Sequence, residues 1–182
     1  MFSPTLETTR LTLRNLTAAD LPFVLAHFSD PEVHRYLVDT DPVTTEDQAQ
    51  EIVEFYADPE RLHRNRWVLV DRSSGESVGT VGLHSHDESN RKIEVGYDLS
   101  PRRWGEGLMR EALKVALDHA FGALGVHRIE AFVHVDNDRS TALLERLGFT
   151  REGTIRAQYW RDGAWHDHHL YSLLSTDPPP GR

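Results

Sequence analysis

Between Arg10 and Leu16 the apolar residues Leu11, Leu13 and Leu16 describe a short strand running into a turn, and Thr17 to Asp20 supply the side chains that start helices. The period then becomes helical. Leu21, Leu25 and Phe28 stand at i, i+4 and i+7, with Asp30-Pro31 as the stop, and a second helix is predicted over Thr44 to Tyr56. From Arg66 alternation returns in Trp67 to Asp71. A turn at Ser73 to Glu76 leads into Val78 to Leu83, which is a hairpin pattern. From Lys92, Ile93, Val95, Tyr97 and Leu99 share one face and Lys92, Glu94, Gly96 and Asp98 the other, as in a strand packed on one side. Gly105 to Phe121 carries two apolar ridges, Leu108-Ala112-Ala116-Ala120 and Met109-Leu113-Leu117-Phe121, and predicts a long helix. A strand over Arg128 to Val135, a short helix over Asp138 to Leu147 and two strands around Asp162-Gly163 complete the pattern.

This order predicts an α/β (α+β) fold: a mixed sheet of about seven strands with helices on both faces. Its length of 182 residues suits one domain, placed at residues 1–176, with a disordered tail over 177–182 where Pro178-Pro179-Pro180-Gly181 ends the chain. Hydrophobic residues make up 38% and no apolar run approaches the length of a membrane span, so no membrane partner is expected. The first ten residues lack the basic start and apolar stretch of a secretory signal, and the chain has no Cys for a disulfide framework, so a cytoplasmic location is expected. A net charge of −9 argues against a nucleic-acid partner and suits a cationic one, although acidic balance also serves ordinary solubility.

The chemistry concentrates in Leu99-Ser100-Pro101-Arg102-Arg103-Trp104-Gly105-Glu106-Gly107-Leu108, a strand that turns through close glycines into a long helix. Free N–H groups at a helix N-terminus bind anions, and glycine lets a phosphate approach the backbone. The plainer alternative is an ordinary strand-to-helix loop. No third glycine completes a dinucleotide fingerprint, and no Gly-Lys-Ser/Thr completes a nucleotide-triphosphate loop.

Arg102-x-x-Gly105-x-Gly107 resembles the Gln/Arg-x-x-Gly-x-Gly/Ala motif of the GNAT acetyltransferases. Ile93 to Leu99 is similar to that family's bulged fourth strand, and Val135 to Ser140 with Leu143 to Phe149 to its later strand and helix. The opening Glu7 to Arg14 is closest to the branch of ribosomal-protein N-terminal acetyltransferases. The resemblance implies a GNAT fold, mostly antiparallel with splayed central strands. It also implies acetyl-CoA as co-substrate, transfer to a primary amine such as a protein N-terminus or a small molecule, and a homodimer. Coenzyme contacts are implied at Val95, Gly96, Tyr97, Leu99, Arg102, Arg103, Trp104, Gly105, Gly107, Leu108, Asn137 and Ser140. Backbone groups of Val95 to Leu99 would take the pantetheine arm and the acetyl carbonyl where the strands splay.

For the leaving thiolate, Ser140 or a water is expected as proton donor, because the position where relatives carry a Tyr is Leu144 here. Asn137 and Ser140 read equally as the cap and first turn of a helix. Glu94 is the expected base, with a solvated strand carboxylate as the alternative. His84, His86 and His134 are expected to line the amine pocket. No metal is expected, although His84-x-His86 and His166-x-His168-His169 have the spacing that puts two imidazoles on one strand face. A His-ligated metalloenzyme and a non-catalytic acyl-CoA sensor therefore stand as alternatives. Trp160 and Trp165 are read as packing or oligomer-interface residues.

Overall fold

Eight strands form one mixed sheet in the computed structural model, which describes residues 2–178. They are β1 (Leu6–Glu7), β2 (Leu11–Asn15), β3 (Asn65–Asp71), β4 (Ser77–Asp87), β5 (Lys92–Leu99), β6 (Arg128–His134), β7 (Thr150–Arg161) and β8 (Ala164–Leu174). Their order is β1-β2-β3-β4-β5-β6-β8-β7, and of these neighbours β5 and β6 run parallel. The strand beyond the expected seven is β1, two residues paired to Leu13 and Thr12 and too short for alternation to betray. At the other end Asp177 closes β8, accepting from the Leu174 N–H (2.8 Å) and donating to the Leu174 carbonyl (3.0 Å). The rest of the expected disordered tail, residues 179–182, lies outside the described residues.

Helices cover both faces because both faces carry apolar rows. On one, Leu11, Leu13, Trp67, Leu69, Val81, Leu83, Ile93 and Val95 pack under α5 (Leu108–Gly122), whose two ridges supply Leu108, Ala112, Leu113 and Ala116. On the other, Leu16 and Val68 meet Val24 and Phe28 of α1 (Leu21–Phe28) and Ala49 and Val53 of α3 (Glu46–Phe55). The Asp-Pro pairs act as starts as well as stops. Asp30 caps α2 (Pro31–His34), accepting from the Glu32 N–H, and Asp58 caps α4 (Pro59–Leu62), accepting from the Arg61 N–H. Proline at the first helical position loses no hydrogen bond, so the residue pair that ended one helix opens the next. The long helix begins three residues later than its apolar pattern suggests. Gly105 and Gly107 sit at φ +81° and +77°, a left-handed conformation that no α-helix accommodates.

The polar face of β5 is not bare. Asp98 is 8% exposed and lies beneath α1, where His27 Nε2 is 2.7 Å from its Oδ1. Arg66 Nη1 (2.8 Å) and the Thr80 hydroxyl (2.6 Å) donate to its Oδ2. Burial alone would raise the Asp98 pKa, but the bond to His27 and the charge of Arg66 outweigh it and hold the carboxyl below its usual value. Removing one partner of a buried charge leaves the other uncompensated. Arg66→Met is therefore expected to cost about 3 kcal/mol in urea unfolding at neutral pH. A loss below about 1 kcal/mol would mean that His27 and Thr80 suffice without it.

Candidate active site

The parallel ladder between β5 and β6 holds for Lys92–Arg128, Ile93–Ile129 and Glu94–Glu130 and then stops. Beyond Glu94, β5 keeps regular pairing with β4, from Leu83–Val95 to Gly79–Leu99, while its other edge opens into a cleft of about 1640 Å³. The bulge expected within Ile93 to Leu99 lies instead in the partner strand, where the register shifts between His84 and Asp87 and Ser85 takes φ +51°. The cleft passes through the sheet. Tyr97, Leu99, Trp104 and Leu108 line it on the α5 side, together with Asn137 and Ser140 of the α6 segment (Asp138–Arg146). Glu94, Gly96, His84, Arg66 and Tyr56 line it on the α3 side, beneath the loop of residues 34–43.

At the α5 end the first helical bond runs from the Glu111 N–H to the Gly107 carbonyl (3.1 Å), leaving the amides of residues 105–110 without a backbone acceptor. A Cβ at Gly105 would meet nothing within 4 Å, so the turn faces open space. Free amides and the helix dipole together suit an anion. The cations beside it differ from the expected pair. Arg103 is 19% exposed and tied to Asp71 (2.6 Å) and Glu106 (3.1 Å), so it locks the β3–β4 turn to this loop instead of facing the cleft. Arg102 is exposed and also stands off the cleft. Arg110, Arg139 and Arg146 line it instead, and the Arg139 guanidinium lies 4.1 Å over the Trp104 ring, which donates from Nε1 to the Leu99 carbonyl (2.8 Å). Sequence reasoning missed these three because each stands on a helix face that reads as solvated. The available signal was spacing, with Arg110 one turn past Gly107 and Arg139 in the first turn after Asn137.

At the α6 start the cap reading holds, and the same residues face the cleft. Asn137 caps the helix, its Oδ1 accepting from the Ser140 N–H (3.2 Å), and both residues also line the cleft. The Ser140 hydroxyl lies 2.7 Å from the Tyr97 hydroxyl. Leu144 is fully buried in the core, and the phenol that reaches Ser140 in the cleft is that of Tyr97 on β5. Burial raises the Tyr97 pKa, so the phenol keeps its proton.

On the α3 side, burial raises the pKa of Glu94, with the negative charges of Asp39 and Glu130 adding to it. His84 stands opposite Glu94, and a Cβ on Gly82 would come within 2.5 Å of its Nε2, so the Gly82–Gly96 pair makes the room its ring fills. Burial, then the charges of Arg66 and Arg64, push His84 down to about 3, so it stays neutral and is a poor proton acceptor. His86 is a correction. The extra residue at Ser85 reverses the alternation, and His86 packs against Phe2 (5.6 Å) on the opposite face, outside the cleft. His134 and His168 do line it, in edge-to-face contact (5.4 Å), with His166 Nδ1 3.2 Å from His134 Nε2. Trp160 and Trp165 are 58% and 62% exposed and pack on each other at the β7–β8 turn. Beside them Arg161 donates to the Thr40 carbonyl and lies 3.3 Å from Asp41, pinning the loop that roofs the cleft.

A sheet opened between parallel strands, with the free amides of a helix start at its rim, suits a phosphate-bearing ligand. The sequence matches the acetyltransferase (GNAT) domain family over residues 10–150, and the chain belongs to that family. It is 34% identical over 171 residues to the uncharacterized N-acetyltransferase YoaA of Bacillus subtilis, covering 94% of this chain and 97% of the relative. It is 41% identical over 115 residues to the ribosomal protein uS5-alanine N-acetyltransferase of Escherichia coli, covering 63% and 59%. The solved spermidine N-acetyltransferase of Vibrio cholerae, in complex with CoA and spermine, superimposes with a TM-score of 0.82 at 25% identity, covering 93% and 98%. The protein is an acetyl-CoA-dependent N-acetyltransferase of the GNAT type. Calorimetric titration with coenzyme A checks the reassigned cations. Arg110→Ala and Arg139→Ala are each expected to weaken binding about tenfold, as loss of a charge-assisted bond would. Arg103→Ala is expected to change affinity about twofold at most while lowering thermal stability; the reverse pattern would return Arg103 to the phosphates.

Proposed function

We propose that the acceptor is a protein N-terminal α-amino group, which attacks the acetyl thioester directly within the β5–β6 opening. The observation that carries this reading is the proton chemistry of the α3 side. Glu94 is a half-buried carboxylate at the opening, and burial holds the neighbouring imidazoles of His84, His134 and His168 toward their neutral forms. A raised carboxylate is a modest base. It suits an α-amine with a pKa of about 7.7–8.0, already partly neutral near pH 7, better than a lysine-like amine near 10.4. The likeness to the uS5-alanine N-acetyltransferase points the same way.

In this reading the coenzyme lies on the α5 side, its pyrophosphate at the amides of residues 105–110 with Arg110 and Arg139 beside them. Val95, Gly96 and the rest of the open β5 edge take the pantetheine arm. Glu94, directly or through a water, removes the amine proton as nitrogen bonds to the acetyl carbon. Charge gathers on the carbonyl oxygen, where a β5 amide N–H stabilises it. The C–S bond then breaks, and the departing thiolate takes its hydrogen bond or proton from the Tyr97–Ser140 hydroxyl pair.

Thiol release with short peptides tests the acceptor. Peptides with free N-termini are expected to turn over while the same peptides blocked at the N-terminus and carrying an internal lysine do not; a preference for spermidine would transfer the reading to polyamines. Glu94→Gln is expected to lower kcat/KM for the peptide roughly 100-fold without changing affinity for coenzyme A. Because the carboxylate form acts and its pKa is raised, activity should climb with pH through a limb above the ordinary value of about 4.3, and the variant should lose that limb. An unchanged profile would assign the proton to solvent alone. Arg161→Ala, which frees the roof loop, is expected to raise KM for the peptide several-fold and leave KM for acetyl-CoA in place; equal changes in both would show a general loss of structure.

A further inference from the structure

On the α5 face of the sheet, away from the cleft, His63, His86 and Glu88 bring one donor atom each to within 4.8 Å of one another. They arrive from two segments. His63 follows α4 in a left-handed turn at φ +48°, while His86 and Glu88 flank the end of β4, His86 being turned to this face by the bulge at Ser85. His63 Nδ1 lies 2.9 Å from Glu88 Oε1. Phe2 stacks on His63 at 5.9 Å with 14° between the rings and tilts against His86, walling the group from the core side. His86 Nδ1 is buried without a hydrogen-bond partner. Glu60, in the same hollow, is already engaged by the Phe2 N–H (2.6 Å), and Arg91 turns its Nε to the Gly125 carbonyl (2.9 Å).

We propose that His63, His86 and Glu88 form a surface site for a borderline divalent cation, with zinc the best match, separate from the acetyl-transfer chemistry. Two imidazole nitrogens and one carboxylate oxygen are a donor set that suits zinc and disfavours magnesium or calcium, which take oxygen ligands. Bonds of about 2.0–2.2 Å in a tetrahedron place donors roughly 3.3–3.5 Å apart. Reaching that from the observed spread asks only for rotation of His63 and Glu88, whose side chains are 50% and 65% exposed. A bound ion would clip the segment after α3, whose Phe55 and Tyr56 wall the cleft, to the β4–β5 turn. It would stabilise the folded chain by mass action without entering the reaction.

Zinc chloride titrated into the full chain without a histidine tag, by calorimetry and by thermal unfolding, tests this. One saturable site is expected, with a midpoint that rises as free zinc rises. His86→Gln and Glu88→Gln should each weaken binding by more than about tenfold, since losing even an outer partner of a ligand costs about 10–100-fold. Should His86→Gln fold poorly, His63→Gln, at an exposed position, serves in its place. A His134→Gln/His166→Gln variant should bind zinc as the wild type does. The proposal falls if the wild type binds no zinc, if the three ligand variants keep their affinity, or if the His134/His166 variant loses it.

Discussion

Everything at the active site follows from one parallel pair that is hydrogen-bonded for three residue pairs and no further. Parallel neighbours must be joined by a crossover, and α5 is that crossover, so its N-terminus necessarily starts near the end of β5 where the sheet opens. Because β6 runs parallel to β5 it ends at the same end of the sheet, so the start of α6, with Asn137 and Ser140, reaches the same rim. Two helix N-termini meeting beside an open strand edge is thus a consequence of topology. An open edge of Val95 to Leu99 carries backbone groups that need partners, which suits an amide-bearing ligand.

The opening has to hold its shape while empty of one substrate or the other, and the buried charge of Asp98 helps explain how. His27 from α1, Arg66 from β3 and Thr80 from β4 all converge on a residue of β5, so four elements are fixed to one another directly under the slot. Arg66 also stands in the cleft wall near Tyr56, 5.2 Å from its ring. One guanidinium therefore links the buried network to the surface the acceptor would touch, and its positive charge helps keep His84 neutral.

Much of this was legible in the chain. Period-2 and helical rows located all the longer elements, because they face cores on both sides of the sheet, and the Gly105-x-Gly107 spacing located the turn. What escaped is long-range or single-residue. Asp98 reads as a solvated strand position until α1 is folded over it. The ion pair of Arg103 with Asp71, 32 residues away and 2.6 Å apart, has no local signal in the sequence. One left-handed residue, Ser85, separates His84 from His86 although their spacing predicts a shared face, and no local propensity marks a serine for that role. The Tyr97–Ser140 contact joins residues 43 apart, so a phenol beside Ser140 could not be read from the α6 sequence alone.

Under the proposed function the acceptor side must do two opposed things, attract a cationic ammonium and then strip its proton. Carboxylates with no partner cation can do both. Asp39 and Glu94 attract the amine together, and the negative charge of Asp39 adds to burial in raising the pKa of Glu94, which strengthens it as a base. A protonated imidazole nearby would undo this by repelling the substrate and weakening the base. Burial guards against that, keeping His84, His134 and His168 toward neutrality, so the imidazoles contribute shape and hydrogen bonding while the carboxylates set the charge. The division works because the two functions lie on different groups: nitrogen bases held toward neutrality by burial, and a half-buried carboxyl whose raised pKa lets it take up a proton.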